Sequence, residues 1–261
     1  MLYLLSPAKR LDYESPVPPE VAALATTPRL MGEAAALIEV MKAKTPLQVA
    51  KLMDLSDELA ALNVARYAAW SKRNTTKNSR PALLAFAGDV YEGLQAGTLA
   101  VDDLAWAQEH VVILSGLYGV LRPLDRLQPY RLEMGTALAS ERGRSLYEFW
   151  GDTLAQYLNR RQRGEGEPVV VNLASQEYSR AALRPALKAR VVECVFEEGQ
   201  GGGAYRIVSF FAKRARGMMA RHAIVNRLQT PQALTSFDED GYRFDARVST
   251  ADRLVFRRPA R

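Results

Sequence analysis

The sequence predicts a mixed α/β fold, with a partly parallel sheet surrounded by helices. Three observations predict it. Short apolar runs at 2–5, 82–86, 111–114 and 169–171 read as buried strands. Helical patterns lie between them, and such alternation builds parallel sheets. After Leu187 the pattern changes to two runs flanking Gly199-Gln200-Gly201-Gly202-Gly203, the signature of an antiparallel hairpin.

Each element has its local reason. The run at 2–5 stops at Ser6-Pro7, and Pro16, Pro18 and Pro19 keep the next stretch irregular. Apolar spacing predicts a helix over 31–41. Pro46 suits a first helical turn, and Ser56 reads as the N-cap of a second helix carrying Leu59, Leu62, Ala65 and Ala69 on one face. These two form a helical hairpin at about 46–70, with only a residue or two between them. A polar loop, 71–80, follows. Helical patterns recur at about 99–108 and 146–161. The hairpin strands fall at 190–196 and 204–209, a basic helix at 211–228, and two last short strands at 242–244 and 254–256. No repeat or linker interrupts this order, so one domain over 1–261 is expected.

Composition narrows the function. The 261 residues are 48% hydrophobic and 25% charged, ordinary globular usage that excludes disordered, collagen-like and disulfide-rich classes. Cys194 stands alone, so no intramolecular disulfide forms. With it, the distant His110 and His222 cannot build a zinc finger, and no metal or cofactor is expected. The start of the chain lacks the charge and length of a signal peptide, and no apolar stretch matches a membrane span. A cytoplasmic protein is expected.

The net charge of +6 is unevenly spread. Between Glu58 and Asp89 there is no acid, while Arg66, Lys72, Arg73, Lys77 and Arg80 lie there. Between Glu198 and Asp238 there is again no acid, while Arg206, Lys213, Arg214, Arg216, Arg221 and Arg227 lie there. On a helix, Lys213, Arg214, Arg216, Arg221 and Arg227 share an arc of about 160°. A one-signed face repels itself unless an anion is near, and nucleic-acid phosphate is the obvious anion. A small anionic ligand and an ordinary solvated face are the other readings. The DNA-binding candidates are Arg66, Lys72, Arg73, Lys213, Arg214, Arg216 and Arg221. His222 falls on the apolar side of the same helix and reads as packed.

The four apolar runs each end in polar or small residues, and parallel sheets bind ligands beyond their carboxyl ends. If those ends converge, Ser6, Lys9, Ser115, Tyr118, Arg122, Tyr130, Arg131, Asn172 and Ser175 supply the polar groups of one cleft. Strand ends favour turn residues in any case, so turn formation alone explains each ending. Lys9, Asp89, Tyr118, Arg122 and Glu133 are the candidates for chemistry there. Arg131 and Glu133 equally suit a mere internal pair.

Several segments together are specific. They are Leu5-Ser6-Pro7-Ala8-Lys9, Gly88-Asp89-Val90-Tyr91, the run from Leu114 to Asp125, Pro129-Tyr130-Arg131-Leu132-Glu133-Met134, Asn172-Leu173-Ala174-Ser175 and Ala212-Lys213-Arg214-Ala215-Arg216-Gly217. This chain resembles the bacterial peroxide stress resistance protein family, YaaA, over essentially its whole length. The resemblance implies a cytoplasmic protein of the peroxide response that limits iron-dependent damage. It also implies DNA binding through a basic cleft, an unusual mixed α/β fold and a helix-hairpin-helix-like element. No catalytic residue carries over. Ala87 stands where relatives often have Lys, and Arg10 where they often have Thr. Residues 46–70 lack the usual glycine-bearing hairpin and carry Asp54-Leu55-Ser56-Asp57 instead.

Two functions are therefore expected. One is a largely non-sequence-specific grip on duplex or distorted DNA. The other is an enzyme acting on a nucleotide, nucleobase or related anion at the strand ends.

Overall fold

A computed structural model describes residues 1–260. The chain forms twelve strands among the described residues: β1 (Leu2–Leu5), β2 (Arg10–Leu11), β3 (Arg80–Pro81), β4 (Phe86–Ala87), β5 (Val111–Ser115) and β6 (Gly119–Leu121) come first. β7 (Arg126–Leu127), β8 (Val169–Asn172), β9 (Arg190–Gly199), β10 (Tyr205–Arg206), β11 (Arg243–Phe244) and β12 (Arg253–Arg258) follow. The main sheet runs β11-β12-β9-β8-β1-β5-β6, with β10 beside β9. β12, β9, β8, β1 and β5 are parallel to one another, and β11, β6 and β10 are antiparallel additions. The expected mixed sheet with surrounding helices is what forms, and where partial parallel pairing was expected the sheet is mostly parallel.

β1 explains the order. All four of its residues are buried, so it must sit inside the sheet with both faces covered. It pairs Tyr3 with Val111 on one side and with Val171 on the other. The carboxyl ends of β8, β1 and β5 therefore lie side by side and point the same way.

Three expectations need correction. The run at 82–86 is a buried helical turn, Ala82–Ala85, followed by β4, which pairs with β2 outside the main sheet. Ala and Leu are strong helix formers, and a five-residue apolar run cannot distinguish a buried strand from a buried turn. The helix expected over 146–161 is two, Leu146–Trp150 and Thr153–Arg161, because Gly151 turns the chain at φ 46°. The helical pair comprises Pro46–Met53 and Asp57–Ala69, three residues apart. Thr45 and Gln48 form a reciprocal capping box, Ser56 caps the second helix, and Asp54 makes the turn in the left-handed region at φ 50°.

The hairpin of β9 and β10 forms as expected, with Gly201, Gly202 and Gly203 all at positive φ. The basic helix spans Ser209–Val225 and buries Ala212, Ala215, Met219, Ala220, Ala223 and Ile224. It crosses the short helix Asp89–Leu94 at very close range. A Cβ on Gly217 would lie 1.8 Å from the Val90 carbonyl oxygen, and one on Gly93 would lie 2.1 Å from that of Arg214. No helix among the described residues is long and apolar enough to cross a membrane.

Backbone cannot yield as a flexible side chain does. Gly217→Ala should therefore lower unfolding stability by about 3 kcal/mol in a urea titration. Gly32→Ala, in the helix Met31–Lys42, meets nothing within 4 Å and should raise stability by up to about 1 kcal/mol. Equal stability of Gly217→Ala and the parent would refute the close crossing.

Candidate functional site

Beyond the carboxyl ends of β1 and β8 lies a cleft of about 420 Å³. Ser6 follows β1 and forms part of its lining. The Ser6 hydroxyl accepts the Ser175 backbone N–H at 2.8 Å and donates to the Ser175 hydroxyl at 3.2 Å. Ser175 is placed by Asn172, whose side-chain oxygen accepts the Ala174 N–H at 3.0 Å and turns the chain after β8. The Tyr91 hydroxyl donates to the Ser6 carbonyl at 3.0 Å, tying the Asp89–Leu94 helix to the same corner.

The third wall is the segment 130–133. Ser115, at the end of β5, shares a 2.6 Å hydrogen bond with the Tyr130 hydroxyl. Gly116 lets the segment come close, since a Cβ there would lie 2.2 Å from the Leu132 carbonyl oxygen. The Tyr67 hydroxyl donates to the Arg131 carbonyl and fixes it from the far side. The fourth wall is the basic helix, which contributes Lys213 and Arg216.

Charges of both signs line the cleft. Lys9, Arg10, Arg131, Lys213 and Arg216 face Asp89, Glu92, Glu133 and Glu177. Glu133 takes Lys9 at 2.9 Å and Arg131 at 3.2 Å. Arg10 meets Glu92 at 2.9 Å, and Lys213 reaches Asp89 only at 4.0 Å. Glu177 accepts the Gly135 N–H at 2.9 Å. Arg216 has no carboxylate within 4 Å among the described residues. Burial lowers its guanidinium from the ordinary value, partly offset by Glu193. Burial raises the hydroxyls of Tyr91, Tyr130 and Tyr178 above the ordinary value, so all three stay neutral donors.

The sequence-predicted residues separate accordingly. Ser6, Lys9, Asp89, Tyr130, Arg131, Glu133, Ser175, Lys213 and Arg216 come together. Ser115 and Asn172 support the cleft from behind without lining it. Tyr118 lies elsewhere, fully buried, where its hydroxyl accepts Trp70 Nε1 at 2.9 Å and the Gln128 N–H at 3.2 Å. Its own proton is pushed up to about 12, chiefly by burial. Arg122 follows β6, which runs back antiparallel to β5, so it sits at the opposite end of the sheet. There it binds Asp125 at 3.0 Å.

Among the DNA-binding candidates, Arg66 lines a shallow depression adjoining the cleft through Arg10 and Ala87. Lys72 and Arg73 are exposed and line neither hollow. Arg214 reaches Asp240 at 4.0 Å. Arg221 donates to the carbonyls of Leu94 and Gln95 at 3.1 and 3.2 Å, capping the Asp89–Leu94 helix. The face is thus less uniformly basic than its helical projection. His222 is packed as expected, against Phe237 with ring centroids 5.5 Å apart.

Sequence reasoning missed Glu92, Glu177 and Tyr178. The last two follow Ser175 in the first turn of the helix Gln176–Ala182, so a strand end leading into a helix start was the available signal.

Residues 1–248 match the family model described as peroxide stress protein YaaA. The chain is 62% identical to a UPF0246 protein of Leptothrix cholodnii over 258 residues, covering 99% of this chain and 98% of that one. It is 60% identical to a UPF0246 protein of Bordetella avium over 258 residues, covering 99% of each.

The one cysteine has a clear expected behaviour. Burial pushes the Cys194 thiol up to about 12, and only 2% of the residue is exposed. Thiolate is the reactive form. Ellman's reagent should therefore leave the native protein unmodified at pH 8 and react once per chain after unfolding. Prompt reaction of the native protein would contradict this burial.

Proposed function

The chain belongs to the peroxide stress protein YaaA family, and from that premise we propose that it acts in oxidative stress by holding DNA phosphates at the cleft between Ser6 and Arg216. Membership supports the stress role, and the arrangement of cations supports the ligand. Arg216 is the observation that carries the reading. It lines the cleft, is half withdrawn from water and has no carboxylate within ion-pair distance among the described residues. A planar guanidinium in that state matches two phosphate oxygens at once. Lys213 adds a second charge, because its 4.0 Å contact with Asp89 is too long to satisfy it. Arg66, in the adjoining depression, and the exposed Lys72 and Arg73 extend the track along a strand. Limiting iron-dependent damage follows in this reading from covering DNA where the oxidant would be generated.

The carboxylates bound the strength of the grip. Lys9, Arg10 and Arg131 are each held by a glutamate, so few cations are free for phosphate. One phosphate contact each at Arg216, Lys213, Arg66, Lys72 and Arg73, five in all, gives a slope of log affinity against log salt of about −4.5. Backbone contacts of this kind carry no base sequence.

A second reading rests on a separate observation. Lys9, Asp89 and Glu133, three of the five residues proposed for chemistry, reach the same cleft. An enzyme acting on a nucleotide or related anion needs such acid, base and cation groups together. It predicts that Asp89→Asn abolishes turnover of the substrate.

Fluorescence anisotropy with a labelled duplex tests the DNA reading. Arg216→Gln and Lys213→Gln should each weaken binding and reduce the salt slope by about one. Arg221→Gln should leave the slope unchanged, since its side chain is occupied by the Leu94 and Gln95 carbonyls. Absence of binding by the parent protein at low salt would overturn the proposal.

A further inference from the structure

Beside the cleft lies a second hollow, of about 580 Å³, which shares Arg10, Ala87, Gly88 and Glu92 with it. Its walls include Leu83, Phe86, Leu99 and Leu104. Arg80 also lines it, and Arg80 is anomalous. Only 7% of the residue is exposed, yet its guanidinium donates no hydrogen bond among the described residues. Its Nε is buried without a partner. The carboxylate oxygen that approaches it, Asp12 Oδ1, stands 3.6 Å from Nη1, beyond hydrogen-bond length. Buried guanidiniums normally satisfy their donors, so this group is set up for a partner absent from the chain itself.

Asp12 lines the same hollow. Its Oδ1 accepts the backbone N–H groups of Glu14 and Ser15 at 2.9 Å each, so the carboxylate is fixed in place. The hydrogen bonds from Ser15, foremost, hold its carboxyl below the ordinary range. It is an acceptor at neutral pH. The charges exclude a simple anion site: Arg10 and Arg80 face Asp12, Glu20 and Glu92. A neutral ligand suits them, one with an acceptor beside a donor and a flat apolar body. The 3.6 Å between Arg80 and Asp12 is too long for a direct bond and short enough for both to reach adjacent atoms of one edge.

We propose that this hollow binds a lactam heterocycle of the nucleobase type, its carbonyl accepting from Arg80 and its neighbouring N–H donating to Asp12. Arginine reads a purine carbonyl in this way, and apolar walls hold a base removed from its stack. The site stands on residues outside the phosphate grip, apart from the shared rim, so free nucleosides test it separately from DNA binding.

Calorimetric titration of the intact protein with inosine, adenosine and 1-methylinosine is the experiment. Inosine carries the lactam, adenosine lacks it, and 1-methylinosine lacks the donor. Inosine should bind at least about tenfold more tightly than either, and Arg80→Met should lose at least about tenfold. Gly97→Trp keeps the test decisive if Arg80→Met does not fold. Gly97 lines the hollow and a Cβ there meets nothing within 4 Å, so a tryptophan can be introduced at the hollow's wall without a clash at its root. It should abolish inosine binding. Equal affinity for the three nucleosides, no inosine binding at millimolar concentration, or full inosine binding by Gly97→Trp would overturn the proposal. Retained DNA binding alongside any of these would leave the cleft reading standing.

Discussion

The contact between two short stretches of backbone governs the cleft. Gly217 lies against the Val90 carbonyl, and Gly93 lies against that of Arg214. Ordinary helix pairs stand 8–10 Å apart, held off by their side chains. Here the side chains are absent at the crossing, so the basic helix settles directly onto the Asp89–Leu94 helix. That approach brings Lys213 to 4.0 Å from Asp89 and sets Arg216 at the cleft wall. It also puts Arg221 within reach of the Leu94 and Gln95 carbonyls, which locks the two helices end to side. Any residue larger than glycine at the crossing would move the cations and their counter-charges together.

Within the cleft the ions mostly hold one another. Glu133 receives both Lys9 and Arg131, and Arg10 is bound to Glu92. Partly exposed pairs of this kind contribute little to stability, about 0–1 kcal/mol each. Their effect is positional, since each long side chain is kept from wandering. Against that background Arg216 differs in kind. Its charge is partly desolvated and answered only in part, by Glu193 beyond ion-pair distance, so an arriving oxyanion gains there what it cannot gain at Lys9.

Much of this was legible in the chain, and the reasons for the rest are specific. The strands at 2–5, 111–114 and 169–171 were legible because unbroken apolar runs mark strands buried on both faces. The run at 82–86 was not, because five residues carry too little periodicity. Lys9 came from the rule that parallel strands gather ligands at their carboxyl ends, and Arg131 and Glu133 from a loop dense in Arg, Pro and Tyr; all three line the cleft. Tyr118 and Arg122 belong to an equally dense motif but are consumed by Trp70, Gln128 and Asp125. Motif density reports a tightly bonded turn as readily as a site. Arg227, placed on the helical projection, lies past the helix end at Val225 with φ 53° and is taken by Asp103 at 2.8 Å, a partner remote in sequence.

The two hollows meet at a low ridge, and its residues explain why they meet at all. β2 and β4 pair there, with Arg10 opposite Ala87 and Leu11 opposite Phe86. Gly88 follows at φ 152°, a conformation open to glycine, and a Cβ there would touch Ala8 at 3.4 Å. Ala87 and Gly88 thus keep the ridge short, while Arg10 and Glu92 stand on it as a matched pair at 2.9 Å. A long side chain at position 87 would raise the barrier and place another group between the hollows. With alanine there, Arg216 on one side and Arg80 on the other face hollows that share a single rim. The rim the two hollows share is thus built from two small residues, Ala87 and Gly88, and one matched ion pair, Arg10 with Glu92.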